Sequence, residues 1–345
     1  MSVIPQSLEP SHNIEWKDLL DILQEASNSA HSTQLKEMVY WVTSLTQEAK
    51  DKHDLNIVHT TLKELRRAFQ LFGPFRDVRK VCIFGSARTP ETDPNYQMAQ
   101  DFAHKITQKG FMVITGAGPG IMEAGNRGSE SDMSFGVNIR LPFEQEPNPY
   151  IAHSTKLISF KYFFNRKLTF MRESDATILF PGGFGTHDEG FELLTLLQTG
   201  RCAPRPLLLL ADETSTYWKS WQQFIEKELL NHGYISSEDM SLFLAPRTVD
   251  DCVSCILEFY RVYHSIRYIQ DSAIIRLNQT VSHTYLSTTM ATFSDLLLDG
   301  HYTLYSPGEY AQDTEDFYDK YRLVFKFDKM RYSRLFQLIM ALNRS

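Results

Sequence analysis

Hydrophobic positions along the 345-residue chain change their spacing twice. Between residues 14 and 72 they recur at helical intervals, as in Leu19, Leu20 and Leu23 and again in Leu55, Val58, Leu62, Leu65 and Phe69, and predict three helices. Gly73-Pro74, in "GPFRD", breaks that series. From Val78 onward short apolar runs alternate with helix-spaced segments: "KVCIF" (80–84), "FMVIT" (111–115), "SFGVNI" (134–139), "ATILF" (176–180) and "PLLLL" (206–210). Strands covered on both sides read as unbroken apolar runs, so the alternation predicts an α/β fold: a doubly wound parallel sheet with helices on both faces. After about residue 265 the spacing changes again, with "AIIRL" and "YRLVFKF" as strands and "TTMATFSDLLLD" and "MRYSRLFQLIMALN" as helices. The expected organisation is a helical N-terminal extension over 1–75, the α/β domain over 76–264 and a small α+β module over 265–345.

Composition narrows the class without choosing a function. Hydrophobic content of 42% and charged content of 22% are ordinary for a globular chain, and no repeat stands out. The run Leu207 to Ala211 is too short to span a bilayer, and "MSVIPQSLEPSHNIEWKD" lacks the basic-then-apolar layout of a signal peptide. A cytoplasmic protein with no membrane partner is expected. The formal charge of −7 argues against broad nucleic-acid binding, but leaves room for a local basic pocket and a small anionic ligand. Of Cys82, Cys202, Cys252 and Cys255, only the last two form a CxxC, on a helix-like apolar face in "DDCVSCILEFYRVYHSI". With no second pair or nearby histidine to complete a metal set, packing is the favoured role and no metal is expected. Reduced, cytosolic thiols fit this usage.

Three of the predicted strands run into loops of small residues: Gly85-Ser86-Ala87-Arg88, Gly116-Ala117-Gly118-Pro119-Gly120 and Pro181-Gly182-Gly183-Phe184-Gly185-Thr186. In an open parallel sheet such loops share the carboxyl edge, where ligands bind at the switch in strand order. Glycines let the backbone approach a ligand, and N–H groups at a helix start favour phosphate or carboxylate. Dinucleotide binding fits poorly, because Ile121 stands where GxGxxG needs its last glycine and "VNIR" (137–140) lacks the acid that would hold a ribose. Neither a P-loop nor HExxH is present. The plainer alternative is that these glycines only make tight strand-to-helix turns.

Two charged residues invite both structural and functional readings. Thr186-His187-Asp188-Glu189 has the form of a capping box, in which Glu189 would reach back to the Thr186 N–H. Asp188 suits a helix first turn, and His187 reads as a surface helix residue. In "SFKYFFNRKLTFMRESDA", Phe164, Leu168 and Met171 share one helical face, while Arg166, Thr169 and Glu173 lie opposite. A solvated charged face is the default for Arg166, Lys167 and Arg172.

"NRKLTFMRESDATILFPGGFGTHDE" resembles the RK…PGGxGTxxE signature of the Lonely Guy family, cytokinin-activating nucleoside 5'-monophosphate phosphoribohydrolases once labelled lysine decarboxylases. "IFGSAR", "TGAGPGIMEAGNRG", "LQTG" and "NHGYIS" match in order, so the resemblance spans about residues 78 to 262. The decarboxylase label would imply pyridoxal phosphate, but nothing in the sequence suggests a Schiff-base lysine, and no cofactor is expected. The resemblance implies a Rossmann-like homodimer that cleaves the N-glycosidic bond of a nucleotide to free base and ribose 5-phosphate, without a metal. It makes Arg166 and Glu189 the catalytic pair. The substrate set it implies is Gly85, Ser86, Gly116, Gly118, Gly120, Met122, Lys167, Gly182, Gly183, Gly185 and Thr186, with the neighbouring subunit adding to the pocket wall. Glu189 would hold the ribose hydroxyls and stabilise an oxocarbenium-like state. Arg166, which does not readily give up a proton, would orient substrate and stabilise leaving-group charge. Asp188 and His187 are proton-donor candidates by proximity. AMP or an N6-substituted adenine nucleotide is the expected substrate. The alternative is a non-catalytic binding or sensor protein like the similar molybdenum-cofactor carriers.

Overall fold

The computed structural model describes residues 16–26, 30–48, 51–130, 132–141, 146–313 and 317–345. The reading of the N-terminal stretch before Trp16 lies outside the described residues. Three helices follow it as their spacing predicts: α1 (Trp16–Ala26), α2 (Ser32–Glu48) and α3 (Lys52–Phe72). Contacts divide the chain into two compact units, Met1–Lys63 and Glu64–Ser345. The divisions expected at 75/76 and 264/265 follow the spacing of apolar residues. The division by contacts instead falls within α3 and keeps residues 265–345 with the sheet.

In the larger unit, β1 (Lys80–Phe84), α4 (Pro94–Thr107), β2 (Met112–Thr115), α5 (Ile121–Ser129), β3 (Ser134–Ile139) and β4 (Leu157–Phe160) come first. They are followed by α6 (Phe163–Glu173), β5 (Ala176–Leu179), α7 (Phe184–Gln198), β6 (Leu207–Leu209), α8 (Tyr217–Phe224) and α9 (Val249–Phe259). The six strands form one parallel sheet in the order β4-β3-β2-β1-β5-β6. β2, β3 and β4 progress to one side of β1, and β5 and β6 lie on its other side. The switch in direction therefore falls between β1 and β5, at the ends that carry the Gly85 and Gly182 loops.

Side chains of β1 alternate between two cores, as the period of a strand requires. Val81 and Ile83 pack with Tyr96, Phe102 and Ile106 of α4 and Val253 and Ile256 of α9. Cys82 and Phe84 belong to the opposite core with Phe170 of α6 and Leu193 of α7. Cys252 is fully buried within the α9 core, whereas Cys255 is half-buried. The helix carrying them ends at Phe259, earlier than its apolar pattern suggests. Its last part, "YHSIRYI", is instead a half-buried strand.

That strand, β7 (Tyr263–Ile269), opens the C-terminal module, with β8 (Ser272–Leu277), α10 (His283–Thr292), β9 (Thr303–Tyr305), β10 (Tyr321–Lys326) and α11 (Tyr332–Leu342). Its strands form an antiparallel sheet in the order β7-β8-β10-β9. Ile275, Leu323, Phe336 and Ile339 share a continuous core with Phe170 and Leu193, so the module is packed into the α/β unit. At its centre the buried Asp313 carboxylate accepts from Arg267 (3.1 Å) and from the Nε of Arg276 (2.7 Å) and Arg322 (3.2 Å). No helix among the described residues is long and apolar enough to cross a membrane.

Candidate active site

Backbone hydrogen bonds tie the three glycine loops into one wall. Ser86 N donates to Pro181 O (3.0 Å), Ile121 N to Ser86 O (3.1 Å) and Phe180 N to Phe84 O (2.8 Å). Such close contact leaves no room for side chains at two positions. A Cβ on Gly120, whose φ is +68°, would lie 2.4 Å from Ser86 O; one on Gly182 would lie 2.1 Å from Thr186 Oγ1. The Gly116 loop is fixed from below by buried side chains: Thr115 Oγ1 donates to Asn126 Oδ1 (2.6 Å), and Asn148 Nδ2 donates to Gly118 O (3.0 Å). These glycines therefore do more than turn the chain.

The wall borders a cleft of about 870 Å3 at the carboxyl edge. Gly85, Ser86, Gly116, Gly118, Met122, Arg166, Gly182, Gly183, Gly185, Thr186 and Glu189 all line it. Two residues from the expected set do not. Gly120 is packed behind Ser86, and Lys167 faces another cavity. Lys167 Nζ instead binds Glu192 (2.6 Å) and Asp188 (3.0 Å) and lies 3.7 Å from Glu189. Burial works against its charge, but the hydrogen bonds it donates to Glu192 and Asp188 leave its pKa raised.

Helix α7 begins at Phe184, with Gly183 as its N-cap and no capping side chain. Gly183, Phe184 and Gly185, at that uncapped start, border the cleft, where free N–H groups suit an anion. The capping box is absent because the helix starts earlier than that motif assumes: Thr186 already lies in the first turn, and its N–H donates to Gly183 O (3.1 Å). Glu189 is thereby released from capping and carried inward. It is 5% exposed, and its Oε2 has no hydrogen-bond partner among the described residues. Burial pushes its pKa up to about 7; Lys167 and Arg166 oppose that rise, while Glu192 and Asp188 add to it.

The helix bearing Arg166 is turned opposite to the amphipathic expectation. Asn165 and Thr169 of α6 are buried, whereas Phe164 is 52% and Leu168 47% exposed. The inward polar face has partners: Asn165 Nδ2 donates to Glu64 Oε2 (2.7 Å), and Thr169 Oγ1 to Asn165 O (2.8 Å). Arg166 Nε donates to Val137 O (2.9 Å) and its Nη2 to Gly116 O (3.4 Å), holding the guanidinium in the cleft rather than in solvent. Burial lowers its pKa, an effect the nearby Glu189 opposes.

Tyr217 was not singled out by motif. Its hydroxyl donates to Gly182 O (2.5 Å), leaving its oxygen to accept from His187 Nε2 (2.7 Å). That assigns the imidazole proton to Nε2 and commits it to the loop; burial lowers the His187 pKa. His187 is thus a brace for the glycine loop rather than a donor aimed at a ligand. The available signal was topological: "TSTYWKSWQQF" follows β6 at the same sheet edge as the glycine loops.

A switch-point cleft with an uncapped helix start, a fixed guanidinium and a buried carboxylate, on a parallel sheet, places the chain in the Rossmann-like class. A sequence model of the family described as "Possible lysine decarboxylase" matches residues 115–256. A protein of Oryza sativa subsp. japonica described as a "Probable cytokinin riboside 5'-monophosphate phosphoribohydrolase" is 29% identical over 185 residues, 53% of this chain and 72% of that protein. An Arabidopsis thaliana cytokinin riboside 5'-monophosphate phosphoribohydrolase is 23% identical over 183 residues, 52% of this chain and 84% of the relative. Among solved structures, a molybdenum cofactor binding protein from Rippkaea orientalis is 18% identical over 52% of this chain and 94% of its own, with a TM-score of 0.37. Over residues 115–256 the α/β core is similar to that family, and over about half of its length this chain is similar to the plant phosphoribohydrolases.

Proposed function

We propose that the chain hydrolyses the N-glycosidic bond of a nucleoside 5'-monophosphate, AMP or an N6-substituted adenine nucleotide, to free base and ribose 5-phosphate. The observation that carries this reading is Glu189, a buried carboxylate with an unpartnered oxygen in the same cleft as an uncapped helix start. Its Oε2 has only the Lys167 ammonium 3.7 Å away and no hydrogen bond, which leaves it free to accept one from a ligand. The names of the plant relatives point to the same chemistry.

In this mechanism the 5'-phosphate sits on the N–H groups of Gly183 to Gly185, with Ser86 beside it and Arg88 at the rim. The Glu189 carboxylate accepts from the ribose hydroxyls and offsets positive charge at C1' as the bond to the base lengthens. Water adds its oxygen to C1' and a proton passes to the departing nitrogen. Arg166, held by two backbone carbonyls, stabilises charge on the leaving group without exchanging a proton.

We further infer that the functional unit is a homodimer whose second copy covers the cleft rim, because Phe184 is 96% and Phe163 51% exposed there.

Chromatographic separation of base from nucleotide, over a panel of nucleoside mono-, di- and triphosphates, tests the assignment. Wild type should release base from a purine monophosphate, and Glu189→Gln and Arg166→Met should each reduce turnover by about a hundredfold or more. Wild-type turnover in either variant would refute the mechanism. Tight binding without hydrolysis across the panel would make the chain a non-catalytic nucleotide binder.

A further inference from the structure

At the amino edge of the sheet, opposite the catalytic cleft, lies a second cavity of about 860 Å3. It is bounded by the segments entering β1, β5 and β6, by α6 and α7 and by the start of β7. Its walls carry Arg76, Arg79, Lys167, Arg172, Arg201 and Arg205 against three carboxylates, Asp77, Asp175 and Glu192. In a chain of net charge −7, that local excess of cations is a specific arrangement. Three of the six cations are paired, Arg172 with Glu173 (2.7 Å). Arg79 takes Asp175 (3.0 Å) and Lys167 takes Glu192 (2.6 Å). Arg205 is 4% exposed and bonded to the Met171 carbonyl (2.8 Å) and to Ser174, with no carboxylate partner, and its Nε has no hydrogen-bond partner among the described residues. Arg76 and Arg201 line the cavity and are exposed. The wall residue His264 is held down to about 4, chiefly by burial, with Arg79, Lys320 and Arg276 adding to the effect and Asp319 opposing it.

We propose that this cavity is a regulatory site for a small molecule carrying at least two phosphate charges, and that its occupancy is sensed in the catalytic cleft through Lys167. A buried guanidinium with an unmet N–H calls for an anion. Several arginines converging from different elements suit the oxygens of phosphate, which planar forks bind in pairs. The volume is that of a site for a molecule of nucleotide size. Lys167 provides the link, since it lines this cavity while its Nζ contacts Asp188 and Glu189 of the cleft. A phosphate in the cavity competes for that ammonium. Glu189 then loses a cation 3.7 Å away and ionises less readily, so its grip on ribose hydroxyls weakens. The coupling rests on the proposed nucleotide reading of the cleft, whereas binding in the cavity does not.

Calorimetric titration of the full chain with inorganic tripolyphosphate tests both parts. Gly183→Asp, which places a carboxylate on the anion loop of the cleft, should retain the tight binding event. The double variant Arg76→Ser/Arg201→Ser should bind about tenfold more weakly. Wild-type affinity in the double variant would overturn the site, as would loss of the event in folded Gly183→Asp. For the coupling, tripolyphosphate at the concentration that half-saturates wild type should weaken AMP affinity in wild type and much less in the double variant, whose site is then mostly empty. Equal weakening in both would show simple competition and overturn the coupling. A chain that binds AMP but releases no base would count against the hydrolase alone, because neither readout depends on turnover.

Discussion

Glu189 concentrates the chemistry of the site in one titration. Its folded pKa of about 7 stands above the ordinary 4.5, so ionising it in the fold costs more than in the unfolded chain. The cost is absent below pH 4.5, grows between 4.5 and about 7, and is fully present above, at about 3 kcal/mol as an order of magnitude. Glu189→Gln should therefore raise the thermal unfolding midpoint more at pH 8 than at pH 5, while it suppresses base release. An equal shift at both pH values would show that the carboxyl is not held in this state. For the wild type, kcat/KM should fall as pH drops through about 7, because protonation removes the negative charge that the reaction uses. An acid limb near 4.5 would place the catalytic carboxylate elsewhere. The residue was legible as part of PGGxGTxxE, but its freedom from capping was not. The motif fixes the separation of Thr186 and Glu189, and only the three-dimensional start of α7 decides which N–H groups need a cap.

At the level of elements, the glycines differ in kind. A Cβ on Gly116 would lie 2.5 Å from Arg166 Nη2 and 2.6 Å from Met122 Sδ, whereas one on Gly183 would meet nothing within 4 Å. Gly116→Ala should displace the guanidinium and reduce turnover by about a hundredfold with the fold retained. Gly183→Ala should leave thermal stability unchanged and weaken AMP binding, because the added methyl stands over the anion loop. Isothermal titration and steady-state kinetics separate the two, and identical effects would contradict the assigned roles. The same scale explains what the spacing of apolar residues could and could not convey. The central strands were legible because they are buried on both faces. β4, β7 and β9 were missed because each is short or half-buried, and β7 continues the apolar spacing of α9. The orientation of α6 was misjudged because amphipathicity equates polar with outward. Its polar face instead meets Glu64 and the carbonyls of the strand ends.

For the whole molecule, the C-terminal module is a structural part of the unit that holds the cleft. Phe336 and Ile339 share a core with Leu193 of α7, and Asn343 accepts at Oδ1 from Val262 N (2.8 Å) and Tyr263 N (3.0 Å). Helical spacing and strand alternation showed where the chain changes character. They could not show that the pieces share one interior, because that depends on contacts between distant residues. The exposed Phe163 and Phe184 argue for a second chain at the cleft rim. Phe163→Ser/Phe184→Ser should sediment as a monomer where wild type sediments as a dimer. A wild-type monomer at micromolar concentration would refute that assembly.

The reversed face of α6 also constrains how the protein can change. Eleven residues present aromatic rings to the outside while anchoring Arg166 on the inside, so surface and chemistry are read from one rigid rod. Substitutions at the exposed Phe163, Phe164 or Leu168 act on that outer surface, whereas a change at Asn165 breaks the bond to Glu64 that seats the helix beside its guanidinium.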